Sequence, residues 1–209
     1  MIKKLFLNQR RNQFLAVFFA TLVTALTIFF ALSFFTGFHA FHASSKSNSS
    51  SELLYIEGVF DFYRRAQDVN WLILNLSFLM GGFCILLYVF FTQKRRIYYL
   101  SNVIACALYS LFVAFFACFI LVNCIALMSQ YGNNLDWNAI TNLIDRDRMS
   151  APSNSMMYFG IALSVLMILS SVALVFNLIF KLKQKKQILQ YNQKMDEMLA
   201  SEALSKNTV

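Results

Sequence analysis

Hydrophobic residues gather in four long runs along the chain, and polar and charged residues fill the segments between them. The runs cover residues 14–35, 71–92, 103–127 and 157–180. A helix needs about 20 apolar residues to cross a hydrocarbon core roughly 30 Å thick, and each run meets that length. The pattern therefore predicts an all-α integral membrane protein built as a bundle of four transmembrane helices.

The segments that flank the runs differ in character. We predict a basic N-terminus (1–13), a first loop (36–70), a basic link (93–102), a second loop (128–156) and a helical tail (181–209). Because the first run is longer than the roughly 7–15 apolar residues of a cleaved signal peptide, we expect it to remain as an anchor.

Charge is distributed unevenly among these segments. The N-terminus, the link and the tail hold 13 Lys and Arg against 3 Asp and Glu, whereas the two loops hold 5 against 7. Positive charges close to a span stay on the cytoplasmic side during insertion. We therefore expect both termini to be cytoplasmic and both loops to be external. The cations that produce the net charge of +8 then lie at the edges of the membrane. This position favours the lipid bilayer as a partner and excludes nucleic acid.

The residue types absent from the four runs narrow the function. They contain no Asp, Glu, Lys, Arg or His, although ion-coupled carriers usually place such a residue inside the membrane. This argues against a carrier that acts alone. The cysteines all lie within the second and third runs, where they are expected to pack as small apolar residues: Cys84, Cys106, Cys118 and Cys124.

The loops offer little reactive chemistry. No Ser-His-Asp set and no Gly-rich phosphate loop is present, so we predict no catalytic residues, no cofactor and no enzymatic activity. A lipid-modifying enzyme whose residues meet only in the folded loops is the alternative. His39 and His42 stand three apart, but no Cys or carboxylate lies near them to complete a metal site.

Three amides lie within the runs, namely Asn75, Asn123 and Asn177. An amide in lipid is costly unless it is paired, so we expect these side chains to face the bundle interior. Asn75 and Asn123 lie at similar depth, which predicts a hydrogen bond between them or from each to a neighbouring backbone. The alternative is a polar lining for a substrate path.

Small residues recur at four-residue spacing in every run, and such seams let helix backbones approach closely. The predicted seam residues are Ala16, Ala20, Thr24, Ser77, Gly81, Ser110, Ala114, Cys118, Gly160 and Ser164. The seams are suited to a four-helix bundle, and a partner subunit is the other surface that they fit.

Both loops contain amphipathic stretches. Residues 52–69 place Leu53, Ile56, Val59, Phe60 and Tyr63 on one helical face, and the second loop repeats the pattern around Trp137. We predict short amphipathic helices that lie along the membrane surface or cap the bundle, with Trp137 as an interfacial anchor. A docking surface for an external partner is the alternative.

The tail carries a basic block at the membrane edge and then an apolar stripe at spacings of three and four: Ile188, Tyr191, Met195 and Met198. Two heptads are fewer than a coiled coil usually needs. The tail is therefore read as a solvated extension of the fourth span, with a helix that pairs with a partner as the alternative.

The layout, with the short basic link Gln93-Lys94-Arg95-Arg96, is similar to that of four-span permease subunits that couple to a cytoplasmic ATPase. Those subunits carry a large external domain after the first span, whereas this loop is short. The favoured interpretation is a non-enzymatic accessory or scaffold subunit that binds a membrane-protein partner or a second copy. The alternative is a permease-type subunit that oligomerises. The Phe-rich composition favours an AT-rich genome and hence a bacterial cytoplasmic membrane.

Overall fold

The structure is a computed structural model that describes residues 2–38, 41, 52–92, 100–147 and 151–206. Apart from short connections at residues 56–58, 134–136 and 151–154, these described residues are helical, and none of them forms a strand. A 3-10 segment, Phe34–Phe38, follows the first helix. The α-helices are α1 (Ile2–Ser33), α2 (Glu52–Tyr55), α3 (Val59–Thr92), α4 (Leu100–Asn133), α5 (Trp137–Asp147) and α6 (Ser155–Lys206).

Four stretches are long and apolar enough to cross a membrane, which confirms the predicted all-helical, four-span class. They are Arg11–Phe38, Val59–Phe90, Asn102–Asn133 and Ser155–Lys183. Their outer faces remain apolar: Phe18, Leu111 and Phe176 are each more than half exposed. A helix that is apolar on its outer as well as its inner face requires a nonpolar surrounding.

The four long helices form a ring in which α1 packs against α3 and α6, and α4 packs against the same two helices. Successive helices run in opposite directions, so every neighbouring pair is antiparallel, as in up-and-down bundles. We call the end that holds Gln13, Asn102 and Lys181 the terminal end, because α1 begins and α6 ends beyond it. The opposite end is the loop end.

Close helix contact in the middle of the bundle depends on Gly160. A Cβ atom at this position would lie 2.6 Å from Cys124 Sγ and 2.8 Å from Phe30 Cζ. Glycine therefore allows α6 to approach α4 and α1 together. The surrounding core is fully buried and includes Phe30, Met80, Phe116, Ile120 and Met167.

The amphipathic helix predicted in the first loop has different bounds in the structure. The amphipathic helix expected over residues 52–69 is divided at Gly58, whose φ of 81° lies in the left-handed region. From Val59 onward the helix continues into the second span without a break. The apolar face of residues 59–69 therefore packs on the bundle, where Val59, Phe62 and Ala66 are buried.

Helix α5 forms a second cover at the loop end. Asp136 begins it as an N-cap, since its Oδ1 accepts from the backbone N–H groups of Asn138 and Ala139 at 3.1 and 3.2 Å. Ile140 and Ile144 bury the inner face of the helix. Trp137 Nε1 donates to the Tyr131 carbonyl at 2.9 Å, which fixes α5 to the end of α4.

Candidate functional site

A polar pocket lies between all four long helices at the terminal end of the bundle. Its walls come from Gln13 and Val17 of α1, Leu87 of α3, Asn102 and Cys106 of α4, and Leu174, Asn177, Leu178 and Lys181 of α6. We call it the Lys181 pocket. It encloses about 10 Å³, which is close to the volume that one water molecule requires.

Lys181 gives this pocket its chemistry. The residue is only 5% exposed, and its Nζ makes no hydrogen bond within the described part of the chain. An ammonium group carries three donors and is costly to bury without an acceptor. The pocket walls contain amides and a thiol but no carboxylate. The site therefore presents an uncompensated positive charge that an anionic oxygen would satisfy.

The polar neighbours of Lys181 are held by the helices themselves. Gln13 and Asn102 are 5% and 4% exposed, and Cys106 Sγ lies 3.5 Å from Asn102 Oδ1, one turn along α4. Burial of these amides beside Lys181 creates a polar layer where the sequence alone indicates a dry interior.

An apolar cleft adjoins the pocket and lies between α4 and α6. It encloses about 290 Å³, near the lower limit of small-molecule sites, and we call it the α4–α6 cleft. Its lining is Cys106, Ala107, Ser110, Leu111, Ala114, Ser171, Leu174, Val175 and Leu178. Cys106, Leu174 and Leu178 line both the pocket and the cleft, so the two spaces are adjacent.

The middle of the bundle carries a small hydrogen-bonded cluster. The Tyr109 hydroxyl donates to the Ala20 carbonyl at 3.0 Å and lies 2.9 Å from Thr24 Oγ1. Ser171 Oγ donates to the Ser110 carbonyl at 2.9 Å. These contacts join α1 to α4 and α4 to α6. They satisfy the hydroxyl groups of Thr24, Tyr109 and Ser171.

The three predicted amides are not brought together. Asn75 Nδ2 donates to the Trp71 carbonyl and Asn123 Nδ2 to the Phe119 carbonyl, each at 2.8 Å. Asn75 is exposed on the outer face, which corrects the expected interior position, because a bond to its own helix already satisfies the amide. Asn177 alone lines a polar site, the Lys181 pocket.

The predicted small-residue seams divide between interior and outer positions. The buried members are Ala16, Ala20, Thr24, Ser77, Ser110, Gly160 and Ser164. Gly81 is half-buried, Ala114 lines the α4–α6 cleft and Cys118 is exposed. The seam of α4 therefore turns outward along its length, from the buried Ser110 to the exposed Cys118.

The tail is helical as far as Lys206, so α6 extends well past the span that ends at Lys183. Leu189 and Met198 are each more than half exposed. Ile188, Tyr191 and Met195 follow the same helix, but their side chains lie outside the described part. His39 and His42 also lie outside it.

Titratable clusters of the metal-binding kind are not seen in the described ranges, where no three His, Cys, Asp or Glu residues meet. Sequence reasoning missed Lys181 because it grouped this residue with the basic block at the membrane edge. The signal was present: Leu174, Asn177 and Lys181 follow helical spacing, as do Gln13, Ala16 and Ala20 on α1. Extending each buried stripe by one turn reaches the pocket. Comparison with protein-family models, curated proteins and solved structures finds no match to this chain.

Proposed function

We propose that this chain is a non-enzymatic subunit of a larger membrane complex and that the tail of α6 is its assembly surface. The observation that carries the proposal is the continuous helix beyond Lys183. Residues 184–206 extend roughly 35 Å past the span at 1.5 Å per residue.

A helix that extends this far from the bundle needs contacts that stabilise it. Isolated helices are marginal in water, and most helices in proteins are stabilised by packing of an apolar face. All side chains described between residues 182 and 198 are exposed, including the apolar Leu182 and Leu189. The bundle therefore leaves these described positions uncovered. The sequence pattern of Ile188, Tyr191, Met195 and Met198 is suited to pairing with a helix from another subunit.

The proposal includes an orientation in the membrane, which the distribution of charge supports. Both termini lie on the cytoplasmic side, supported by the excess of 13 cations over 3 anions in the segments at that end. The membrane is the bacterial cytoplasmic membrane. Reporter fusions at residue 209 and in the second loop should report opposite sides, and a tail exposed to the outside would overturn the assignment.

The test of assembly compares two variants of equal charge in native membranes. Ile188→Lys with Met195→Lys interrupts the apolar stripe, whereas Gln190→Lys with Gln193→Lys places the same charges at exposed polar positions. After gentle solubilisation, we expect the wild-type and control chains to migrate as a large complex and the stripe variant as the lone chain. A complex of unchanged size in the stripe variant would refute the proposal.

Mass spectrometry of the recovered complex then decides between the two functional classes. Recovery with other membrane proteins or with a second copy supports the accessory role. Recovery with a cytoplasmic ATPase supports the permease-type subunit and directs attention to the link at residues 93–99, which lies outside the described part.

A further inference from the structure

The Lys181 pocket and the α4–α6 cleft combine two chemistries along the same pair of helices. The pocket supplies a buried cation with amides around it, and the cleft supplies an apolar space of about 290 Å³. They share Cys106, Leu174 and Leu178 as lining residues, so the two spaces lie side by side. A molecule with an anionic head joined to an apolar chain would match this arrangement.

The dimensions agree with one leaflet of a bilayer. From Lys181 to Ser171, at the inner part of the cleft, α6 rises roughly 15 Å. That distance is about half of a hydrocarbon core of roughly 30 Å. Lys181 therefore lies near headgroup level when the cleft lies beside the acyl chains of the same leaflet.

Charge selects among the molecules that a bilayer offers. Lys181 Nζ has no acceptor in the described part of the chain, and Gln13, Asn102 and Asn177 add amide groups around it. Basic pockets between transmembrane helices are suited to anionic lipid headgroups. A zwitterionic headgroup would bring a second cation toward Lys181, whereas a phosphate whose headgroup carries no amine would bring only negative charge.

We propose that the Lys181 pocket and the α4–α6 cleft together form a binding site for one anionic phospholipid. The phosphate lies at the mouth of the pocket, and one of its oxygens accepts from Lys181 Nζ, because the pocket has room for about one such atom. One acyl chain lies in the cleft against Ala107, Ala114 and Val175. This site does not depend on the tail or on any partner subunit.

The experiment uses the purified full-length chain and native mass spectrometry. Phosphatidylglycerol and phosphatidylcholine with identical acyl chains are added in equal amounts to the detergent-solubilised protein. We expect the wild type to retain the anionic lipid about fivefold more, the equivalent of one lysine attracting one anionic headgroup. Equal retention of the two lipids would overturn the proposal.

Two pairs of variants separate the head from the chain. Lys181→Met should abolish the preference for the anionic lipid, whereas Lys183→Met, at an exposed lysine two residues away, should keep it. Ala114→Phe fills the cleft and should reduce retention of both lipids, whereas Val122→Phe, on the outer face of the same helix, should not. If Lys183→Met acts as strongly as Lys181→Met, the attraction is a general surface effect and the pocket is not the site.

A third arm identifies the source of the anion. Inorganic phosphate at millimolar concentration should leave phosphatidylglycerol bound, because it cannot use the cleft. Displacement of the lipid by inorganic phosphate would show that Lys181 binds soluble anions and would refute the phospholipid assignment. The variants are compared by circular dichroism, and a helix content equal to that of the wild type confirms that each is folded.

Discussion

The two ends of the bundle differ in how the chain covers the ends of its helices. At the loop end, the chain covers its own helix termini: Phe38, Phe62 and Tyr131 pack together, with ring centroids of Phe38 and Phe62 5.4 Å apart. At the terminal end, Lys181 is buried without an acceptor in the described part, and α6 continues past the bundle. We call the first the sealed end and the second the open end, because we propose that lipid and a partner bind there.

The comparison separates stability from function. Aromatic rings at the loop end bring together segments far apart in sequence, from Phe38 to Trp137, which lies 4.6 Å from Tyr131 between ring centroids. Such packing stabilises the fold. The terminal end holds a desolvated charge, which is expected to lower the free energy of unfolding of the isolated chain. Features that cost stability in isolation are expected where binding takes place.

The largest expected effect comes from the aromatic cluster at the loop end. Phe38 is fully buried, and its ring contacts the rings of Phe34, Phe41 and Phe62. We expect Phe38→Ala to lower the free energy of unfolding by about 3–5 kcal/mol, because it removes a large ring from a packed site. A denaturant titration in mixed micelles measures it, with the exposed Phe29→Ala as a control. Similar losses in both variants would show that the loop end is not specially packed.

The second effect tests the turn that seats α2 and α3 on the loop end. A side chain at Gly58 meets both a φ of 81° and the backbone carbonyl of Asn134. We expect Gly58→Val to cost at least about 1–3 kcal/mol, the usual range for a strained backbone position. Gly82→Val is the matched control, because no atom lies within 4 Å of a Cβ there. A neutral Gly58→Val would mean that the turn contributes nothing to closing this end.

The third prediction concerns the terminal end, where we expect a substitution to raise stability and not to lower it. In detergent without anionic lipid, Lys181→Met should raise the free energy of unfolding by about 1–3 kcal/mol, because it removes an unsatisfied buried group. Lys183→Met changes an exposed lysine and should have little effect. Thermal unfolding of the two variants under identical conditions gives the comparison. Destabilisation by Lys181→Met in lipid-free detergent would show that its ammonium already has a partner and that the terminal end is not open.

Whether the sequence predicts a feature of either end depends on how far apart in sequence the contacting residues are. The four spans follow from local composition, because lipid requires apolar side chains on outer as well as inner faces. The loop-end cluster does not, since Phe38, Phe62 and Tyr131 meet only after the bundle has formed. Asn75 illustrates a different limit: its position on the outer face depends on a bond to the Trp71 carbonyl, which composition does not reveal.

Lys181 shows how a site escapes a reading based on charge blocks. The basic block after Phe180 indicates a membrane edge, and Lys183 and Lys186 are exposed as that reading requires. Lys181 differs only in its angular position, which places it on the same face of the helix as the buried Leu174 and the half-buried Asn177. Helical phase, and not the number of charges, distinguishes the binding residue from the anchoring ones.

The smallest expected effect concerns the middle of the bundle, where the two ends meet. Tyr109→Phe keeps the ring and removes the hydroxyl that donates to the Ala20 carbonyl and lies beside Thr24 Oγ1. Hydrogen bonds between transmembrane helices contribute about 0.6 kcal/mol on average and up to about 1.7, so a loss within this range is expected. Tyr88→Phe, at an exposed ring, is the control, and both are measured by the same mixed-micelle titration. A loss as large as that of Phe38→Ala would place the structural centre of the molecule in its polar middle and would remove the distinction between a sealed end and an open one.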